Sequence, residues 1–396
     1  MAGTVIVAGA RTPIGKLSGA LSSLSSTDLG AQAIAGALSR AGLSPEQVDF
    51  VLMGQVVLAG AGQLTARQAS VKAGIPLTVP SSTINKVCLS GLNTIYLADQ
   101  MINAGEADIV IAGGMESMTQ APHLLPNARQ GYRLGDGTLV DSMMFDGLTC
   151  GVEHIAMGVS TERFNAQDTK ISRQRQDEFA ARSHQLAAAA IKSGALGEEI
   201  VPAEVPSRRG DPTFVEFDEG VRAETTVETL GKLRASFGKG DDATVTAGNA
   251  SQISDGASAV IVMSKAKADE LGLAPLGELL SYAQVAGPDT SLLHQPSAAI
   301  AKACARLDLD PKSLDLFEIN EAFAAVGLAS VDDLGVDLDK VNPNGGAIAL
   351  GHPIGMSGNR LALTALFELR RRGGGTAAVA LCGGGGQGDA AVLRVS

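Results

Sequence analysis

Apolar residues along this chain return at two spacings. Leu92, Ile95, Ala98, Met101 and Ile102 recur at helical spacing, and Gly105 stops that helix. Ala-rich amphipathic stretches at 28–40 and 297–306 read as helices too. Short apolar runs at 50–53, 81–85, 108–112, 259–263, 316–319, 376–381 and 389–395 read as strands, and the opening residues lead straight into another. Longer helices are predicted at 173–194 and 359–372. The second carries three Arg at its C-terminal end and Gly373 as cap.

These elements come in two copies. Leu43-Ser44-Pro45-Glu46-Gln47-Val48-Asp49-Phe50-Val51 aligns with Leu309-Asp310-Pro311-Lys312-Ser313-Leu314-Asp315-Leu316-Phe317, at an offset of 266 (311 − 45 and 315 − 49). Each segment follows an Ala-rich helix and enters a strand. Further on, the 108–112 strand ends at Gly113-Gly114 and the 376–381 strand at Gly383-Gly384, an offset of 270 (383 − 113). In the second copy, 340–342 stands where 81–85 stands in the first. Two β-α-β units that cannot each bury a full sheet face predict a duplicated, layered α/β fold. Residues 119–246 belong to neither copy and read as an insertion or lid. The expected division is 1–118 with 247–268 as the N-terminal half, 119–246 as the inserted loop domain, and 269–396 as the C-terminal half.

Composition narrows the classes. The chain has 396 residues, 45% hydrophobic, with 48 Gly and no Trp, so helices and sheet must meet on small side chains. A net charge of −11 argues against a nucleic-acid binder. No apolar run approaches the roughly 20 residues of a membrane span. No basic stretch precedes an apolar one at the start, so no secretory signal is read. The four Cys, at 88, 150, 304 and 382, form no CxxC pair, and the five His form no HxxxH. Neither a disulfide scaffold nor a metal site is expected, and a reducing cytoplasm is the expected home.

Four positions in Gly-rich frames could carry chemistry. Cys88 opens a helix, where the dipole and unpaired N–H groups lower a thiol's pKa and make a nucleophile; the other reading is a small buried apolar side chain. His352, framed by Gly351, Pro353 and Gly355, falls close to the repeat position of Cys88 (88 + 266 = 354) and could take its proton. A His satisfied in a tight turn is the alternative. His123, His154, His184 and His294 lack such frames and read as surface or structural. Cys382 ends a strand at a Gly run, either as a general acid and base or as a core Cys. Asn320, after the 316–319 strand, could orient a water or a His, or cap a turn. Gly383-Gly384-Gly385-Gly386-Gln387-Gly388 matches G-x-G-x-x-G, but no helix follows it. It reads as a tight hairpin supplying backbone donors, not as a dinucleotide loop. Arg222, Lys232, Arg234 and Lys239 could neutralise ligand phosphates or form a solvated face.

Together these residues resemble the thiolase family, and within it the acetyl-CoA acetyltransferases. Ala8-Gly9-Ala10-Arg11-Thr12-Pro13-Ile14-Gly15, Gly113-Gly114-Met115-Glu116-Ser117-Met118 and Asn344-Gly345-Gly346-Ala347 extend the likeness over essentially the whole chain. The resemblance implies a thiolase-like α-β-α-β-α fold and a reversible Claisen condensation of two acetyl-CoA to acetoacetyl-CoA and CoA. Cys88 would carry the acyl group, His352 would take its proton, and Cys382 would move the proton of the second substrate. His352 with a water held by Asn320 would form one oxyanion hole, and the N–H groups of Cys88 and Gly384 the other. The CoA contacts carry over to Leu148, Met157, Arg222, Phe237, Ala247, Ala250 and Ser251, with Ala322 and Phe323 at the acyl end. The resemblance implies no permanently bound cofactor and no metal; acetyl-CoA, acetoacetyl-CoA and CoA are substrates. It also implies a homo-oligomer, with the arm at about 119–143 resembling a tetramerisation loop of a dimer of dimers. Neither nucleic acid nor membrane is an expected partner.

Two positions depart from the family pattern. Leu89 stands where many relatives carry a small residue, and Ala156 where many carry His; both bear on chain-length preference. A broader-chain 3-ketoacyl-CoA thiolase of fatty-acid β-oxidation is the alternative activity. A decarboxylating ketoacyl synthase would not need Cys382. A silent CoA-binding scaffold would have lost one of the four site residues.

Overall fold

Apolar runs become strands here because helices cover both faces of the sheet they join. The computed structural model describes residues 3–207, 210–240 and 243–396. Its main sheet contains β1 (Thr4–Arg11), β2 (Phe50–Gly54), β3 (Ser81–Ile84), β4 (Ile109–Ser117), β5 (Ser254–Ser264), β6 (Gly277–Ala286), β7 (Leu316–Ile319), β8 (Gly375–Gly383) and β9 (Gln387–Val395). A short Gly15–Lys16 segment pairs with β5. The spatial order is β7-β8-β9-β6-β1-β5-β4-β2-β3.

That order is a palindrome of the repeat. In one half β7 pairs parallel with β8, then β9 and β6 follow antiparallel. In the other, β2 pairs parallel with β4, then β5 and β1 follow antiparallel. Among the described residues, the strands of the two halves pair through a short antiparallel contact, Val5↔Glu278 and Ile6↔Gly277.

The helices that layer this sheet are α1 (Ser26–Ala41), α2 (Ser90–Asn103), α3 (Arg173–Ser193), α4 (Gln295–Ala305), α5 (Ala324–Leu334) and α6 (Ser357–Arg371). Alternation along each strand sends residues to different layers. On β5, Ile261 and Met263 face α1, packing with its Leu29, Ile34 and Ala37. Val260 and Val262 face the other way, into a cluster with Leu92 and Ile95 of α2 and Leu361 and Leu366 of α6. Val379, Leu381 and Leu393 of the second half enter that same cluster, so α2 and α6 lie between the two half-sheets. Outside the second half, Ile300 and Ala303 of α4 cover Phe317, Ala378 and Val392. The result is helix, sheet, helix, sheet, helix. Each buried Leu or Ile stabilises it by roughly 2 kcal/mol.

Glycines set how closely α2 and α6 begin. A Cβ on Gly91 would lie 2.7 Å from the Gly355 carbonyl oxygen, and one on Gly358 would lie 2.5 Å from the Leu92 nitrogen. The strand predicted to stop at Gly113-Gly114 instead runs on to Ser117. Those glycines sit inside it because a Cβ on Gly114 would be 2.0 Å from the Gly355 oxygen. The 340–342 segment is not a full strand. It makes a single bridge, Phe317↔Val341, and the Asn342 side-chain amide continues the pairing with both backbone groups of Ile319 at 2.8 Å.

The insertion leans on the second half. In α3, Phe179 and Ala180 pack beside Val326 and Leu328 of α5, and Ala187 and Ala190 beside Ala349 and Leu350, just before the His352 loop. A buried ion network joins it to the first half: Arg11, at the end of β1, lies 2.7 Å from both Glu199 and Asp218.

Candidate active site

Cys88 lies in a knot of chain ahead of α2, which begins at Ser90. The Ser90 hydroxyl donates to the Val87 carbonyl at 2.6 Å and accepts from the Lys86 N–H at 2.8 Å. The backbone N–H groups of Cys88 and Gly384 act on the Cys88 sulfur and favour its thiolate. Gly384 opens the loop of the β8–β9 hairpin, in which Gly385 and Gly386 have φ of 79° and 70°. The Gly run is therefore a hairpin, as expected, and no helix follows it.

Cys382 lies one residue before the end of β8, buried at 1% exposure. Burial pushes its thiol pKa up, and the nearby Cys88 sulfur adds to the effect. Burial also governs Cys88. Its thiol is pushed up to about 12, against the two backbone N–H groups that favour the thiolate. Desolvation thus works against the lowering expected at a helix start, at a residue that is half-buried.

His352 is held in one tautomer. The Ser357 hydroxyl donates to the Pro353 carbonyl at 2.9 Å, so its oxygen accepts from His352 Nδ1 at 2.6 Å. The lone pair is then on Nε2, where Asn320 Nδ2 lies 3.4 Å away. Burial lowers the His352 pKa to about 4, with the Arg360 charge assisting. Arg360 itself is buried against Glu318 of β7 at 3.0 Å. Asn320 donates its backbone N–H to the Ala380 carbonyl at 2.9 Å, and its Oδ1 has no partner among the described residues. The next residue, Glu321, fixes the turn by accepting from Ser183, Asn342 and the N–H of Ile348.

One further carboxylate supports both loops. Glu116 accepts from the N–H groups of Val56 at 3.0 Å, Val57 at 3.1 Å and Gly355 at 2.9 Å. Burial pushes its pKa up to about 7, and its charge reaches Cys88. The motifs around Glu116 and Glu321 assign these carboxylates no role, and nothing in the sequence singles out Ser357. The signal for the two carboxylates is a polar residue inside an apolar frame.

A cavity of about 470 Å³ opens beside these residues. All nine residues expected to contact substrate line it: Leu148, Met157, Arg222, Phe237, Ala247, Ala250, Ser251, Ala322 and Phe323. Lys16, Ala156 and Gln252 line it as well. Its walls lead to the candidate catalytic groups. Leu148 and Ile253 pack in one apolar cluster with Cys88, Ala322 and Phe323 in another with Cys382, and the Gln252 carbonyl accepts from the His352 N–H at 3.1 Å. The Phe237 and Phe323 rings meet edge to face at 6.2 Å. Lys232, Arg234 and Lys239 are exposed and do not line the cavity. Leu89 is also absent from it: its side chain is buried beneath Gly383, in the cluster between the half-sheets. The 119–143 arm is a largely exposed excursion closed by the His123–Leu124 and Val140–Asp141 pairing.

Two thiols, an imidazole and the backbone of a Gly-rich hairpin thus lie beside a ligand-sized cavity. The thiolase N-terminal domain model matches residues 4–266, and the thiolase C-terminal domain model matches 273–395. The chain belongs to the thiolase family, and it is an acyltransferase enzyme. It is 59% identical to a "Probable acetyl-CoA acetyltransferase" of Mycolicibacterium smegmatis, over 98% of this chain and 100% of that protein. It is 50% identical to the acetyl-CoA acetyltransferase of Cupriavidus necator, over 100% of both. The crystal structure of the Bacillus anthracis acetyl-CoA acetyltransferase superposes with a TM-score of 0.96 at 39% identity, covering 100% of this chain and 99% of that one. No helix among the described residues is long and apolar enough to cross a membrane.

Proposed function

We propose that the enzyme catalyses the reversible condensation of two acetyl-CoA to acetoacetyl-CoA and CoA, through an acyl-Cys88 intermediate. The observation that carries this reading is the packing of the Val87–Cys88–Leu89 turn against the Gly383–Gly384 hairpin, which also carries Cys382. A thiol pushed up to about 12 stays protonated at rest, so attack needs a base. His352, neutral with its lone pair at Nε2, suits that task. The N–H groups of Cys88 and Gly384 would then hold the thioester oxyanion. Once His352 has taken the Cys88 proton at Nε2, that N–H, with a water donating to the unpartnered Asn320 Oδ1, would hold the second acetyl oxygen, as the family resemblance implies. Cys382, also protonated at rest, would give its proton to the departing CoA thiolate and then, as the thiolate, remove the methyl proton of the second acetyl-CoA; thiolysis runs both transfers in reverse. Arg222 and Lys16, the cations at the cavity, would face the phosphates of CoA.

The cavity residues from 148 to 237 come from the insertion, which supports its role as a CoA-binding domain inserted within the N-terminal half. The exposed 119–143 arm supports a homo-tetramer assembled as a dimer of dimers. The test of substrate class is CoA-dependent cleavage of acetoacetyl-CoA against a longer 3-ketoacyl-CoA. A kcat/KM strongly favouring acetoacetyl-CoA supports the short-chain reading. Equal or better use of the longer chain would replace it with the β-oxidation activity.

A further inference from the structure

Val87, immediately before Cys88, has φ of 51°. For a β-branched residue this left-handed conformation is an outlier that the surroundings must hold in place. The local bonds of the knot close the turn but do not aim it. Two long-range contacts do: Asn85 Nδ2 donates to the Val56 carbonyl at 3.3 Å, and Lys86 Nζ, reaching across to the other half, lies 2.7 and 2.8 Å from the two carboxylate oxygens of Asp389. Asp389 is wholly buried on β9, opposite Leu381 and one residue from the partner of Cys382. It also accepts from the Tyr282 hydroxyl, and the Tyr282 ring stacks on Tyr96 of α2 with centroids 4.5 Å apart. The Val87 side chain rests over the hairpin: a Cβ on Gly384 would lie 3.4 Å from Val87 Cγ1. The turn from one half of the duplication and the hairpin from the other are thus tied together where their N–H groups must converge.

We propose that the Lys86–Asp389 ion pair, backed by Tyr282, is a positioning latch for the nucleophile. It holds the left-handed turn at Val87 against the Gly383–Gln387 hairpin, so that the N–H groups of Cys88 and Gly384 meet at one sulfur. Lys86 and Asp389 touch no substrate in this account; they act through the turn. The catalytic consequence rests on the nucleophile role proposed for Cys88, whereas the holding of the turn is measurable without substrate.

The test compares wild-type enzyme with Lys86→Met, Lys86→Arg and Tyr282→Phe. Two readouts are taken: amide hydrogen exchange over 85–92, and kcat and KM for acetoacetyl-CoA thiolysis. In Lys86→Met, exchange over 85–92 rises about tenfold or more. Its kcat falls about 10- to 100-fold while KM moves less than about threefold, because positioning and not binding is lost. Lys86→Arg restores most of kcat. If Lys86→Met does not fold, Tyr282→Phe decides, with smaller changes of the same two kinds. Wild-type exchange in a folded Lys86→Met protein overturns the latch, as does raised exchange with wild-type kcat. Absence of thiolysis in the wild-type enzyme counts against the proposed function alone, and the exchange comparison then decides the latch.

Discussion

His352 offers its Nε2 lone pair because its Nδ1–H donates to the Ser357 hydroxyl oxygen. Burial lowers its pKa to about 4 from the usual 6.5. The unfolded chain therefore binds the proton first as the pH falls. The stability this group confers is complete above 6.5 and is lost on acidification through the folded value. The shift corresponds to about 3 kcal/mol. His352→Gln removes that dependence. Urea unfolding should show the variant losing about 3 kcal/mol less than wild type between neutral pH and the folded value. An equal loss in both proteins would mean that His352 titrates normally. At the same scale, Ala156 lines the cavity and Leu89 does not. Ala156→Leu should shift kcat/KM towards acetoacetyl-CoA over a longer 3-ketoacyl-CoA by about tenfold or more. Leu89→Ala should leave that ratio unchanged while costing about 3 kcal/mol of stability as a core truncation. A ratio that follows Leu89 instead would place the acyl end elsewhere. Local sequence singled out Cys88, His352 and Cys382 as candidates because each sits near glycine, and Asn320 because it follows a strand end. It could not reveal that Leu89 turns away from the cavity, since that depends on Gly383, almost 300 residues on in the chain.

Elements meet at this site through backbone, not side chains. Gly114 and Gly355 bring β4 against the His352 loop, and Glu116 then accepts N–H groups from both sides of the contact. Gly114→Ala should destabilise the fold by about 3 kcal/mol, because the new methyl meets a backbone oxygen that cannot turn aside. Glu116→Gln keeps the size but sets an amide donor against N–H donors. It should cost about 2 kcal/mol in denaturant titration and lower kcat more than it raises KM. Unchanged stability would mean that the three N–H groups do not depend on the carboxylate. The strands and helices themselves were legible, since apolar spacing is local. The extension of β4 through Gly113-Gly114 was not, because glycine reads as a strand end until its close neighbour is known. The 340–342 segment misled for the same reason: its pairing is completed by the Asn342 side chain.

The whole molecule follows the duplication. The offset of 266 residues in sequence becomes a sheet whose two halves repeat one order around a short seam. Both the layered fold and the convergence of two helix starts could be read from that repeat. The ties across the halves and into the insertion were not legible, because no periodicity marks them. Lys86 with Asp389 and Arg11 with Glu199 and Asp218 are of this kind. Arg11→Leu would leave two buried carboxylates without their cation and should destabilise the protein by about 4 kcal/mol; a loss under about 1 kcal/mol would show the network to be dispensable. The account stands or falls on which sulfur carries the acyl group. The most direct measurement is to mix the enzyme with acetyl-CoA, quench with acid and map the label by peptide mass spectrometry. The expected result is one acetyl group on the Cys88 peptide, lost in Cys88→Ser and retained in a Cys382→Ser protein that no longer condenses. An acetyl group on Cys382, or labelling that survives Cys88→Ser, would contradict it.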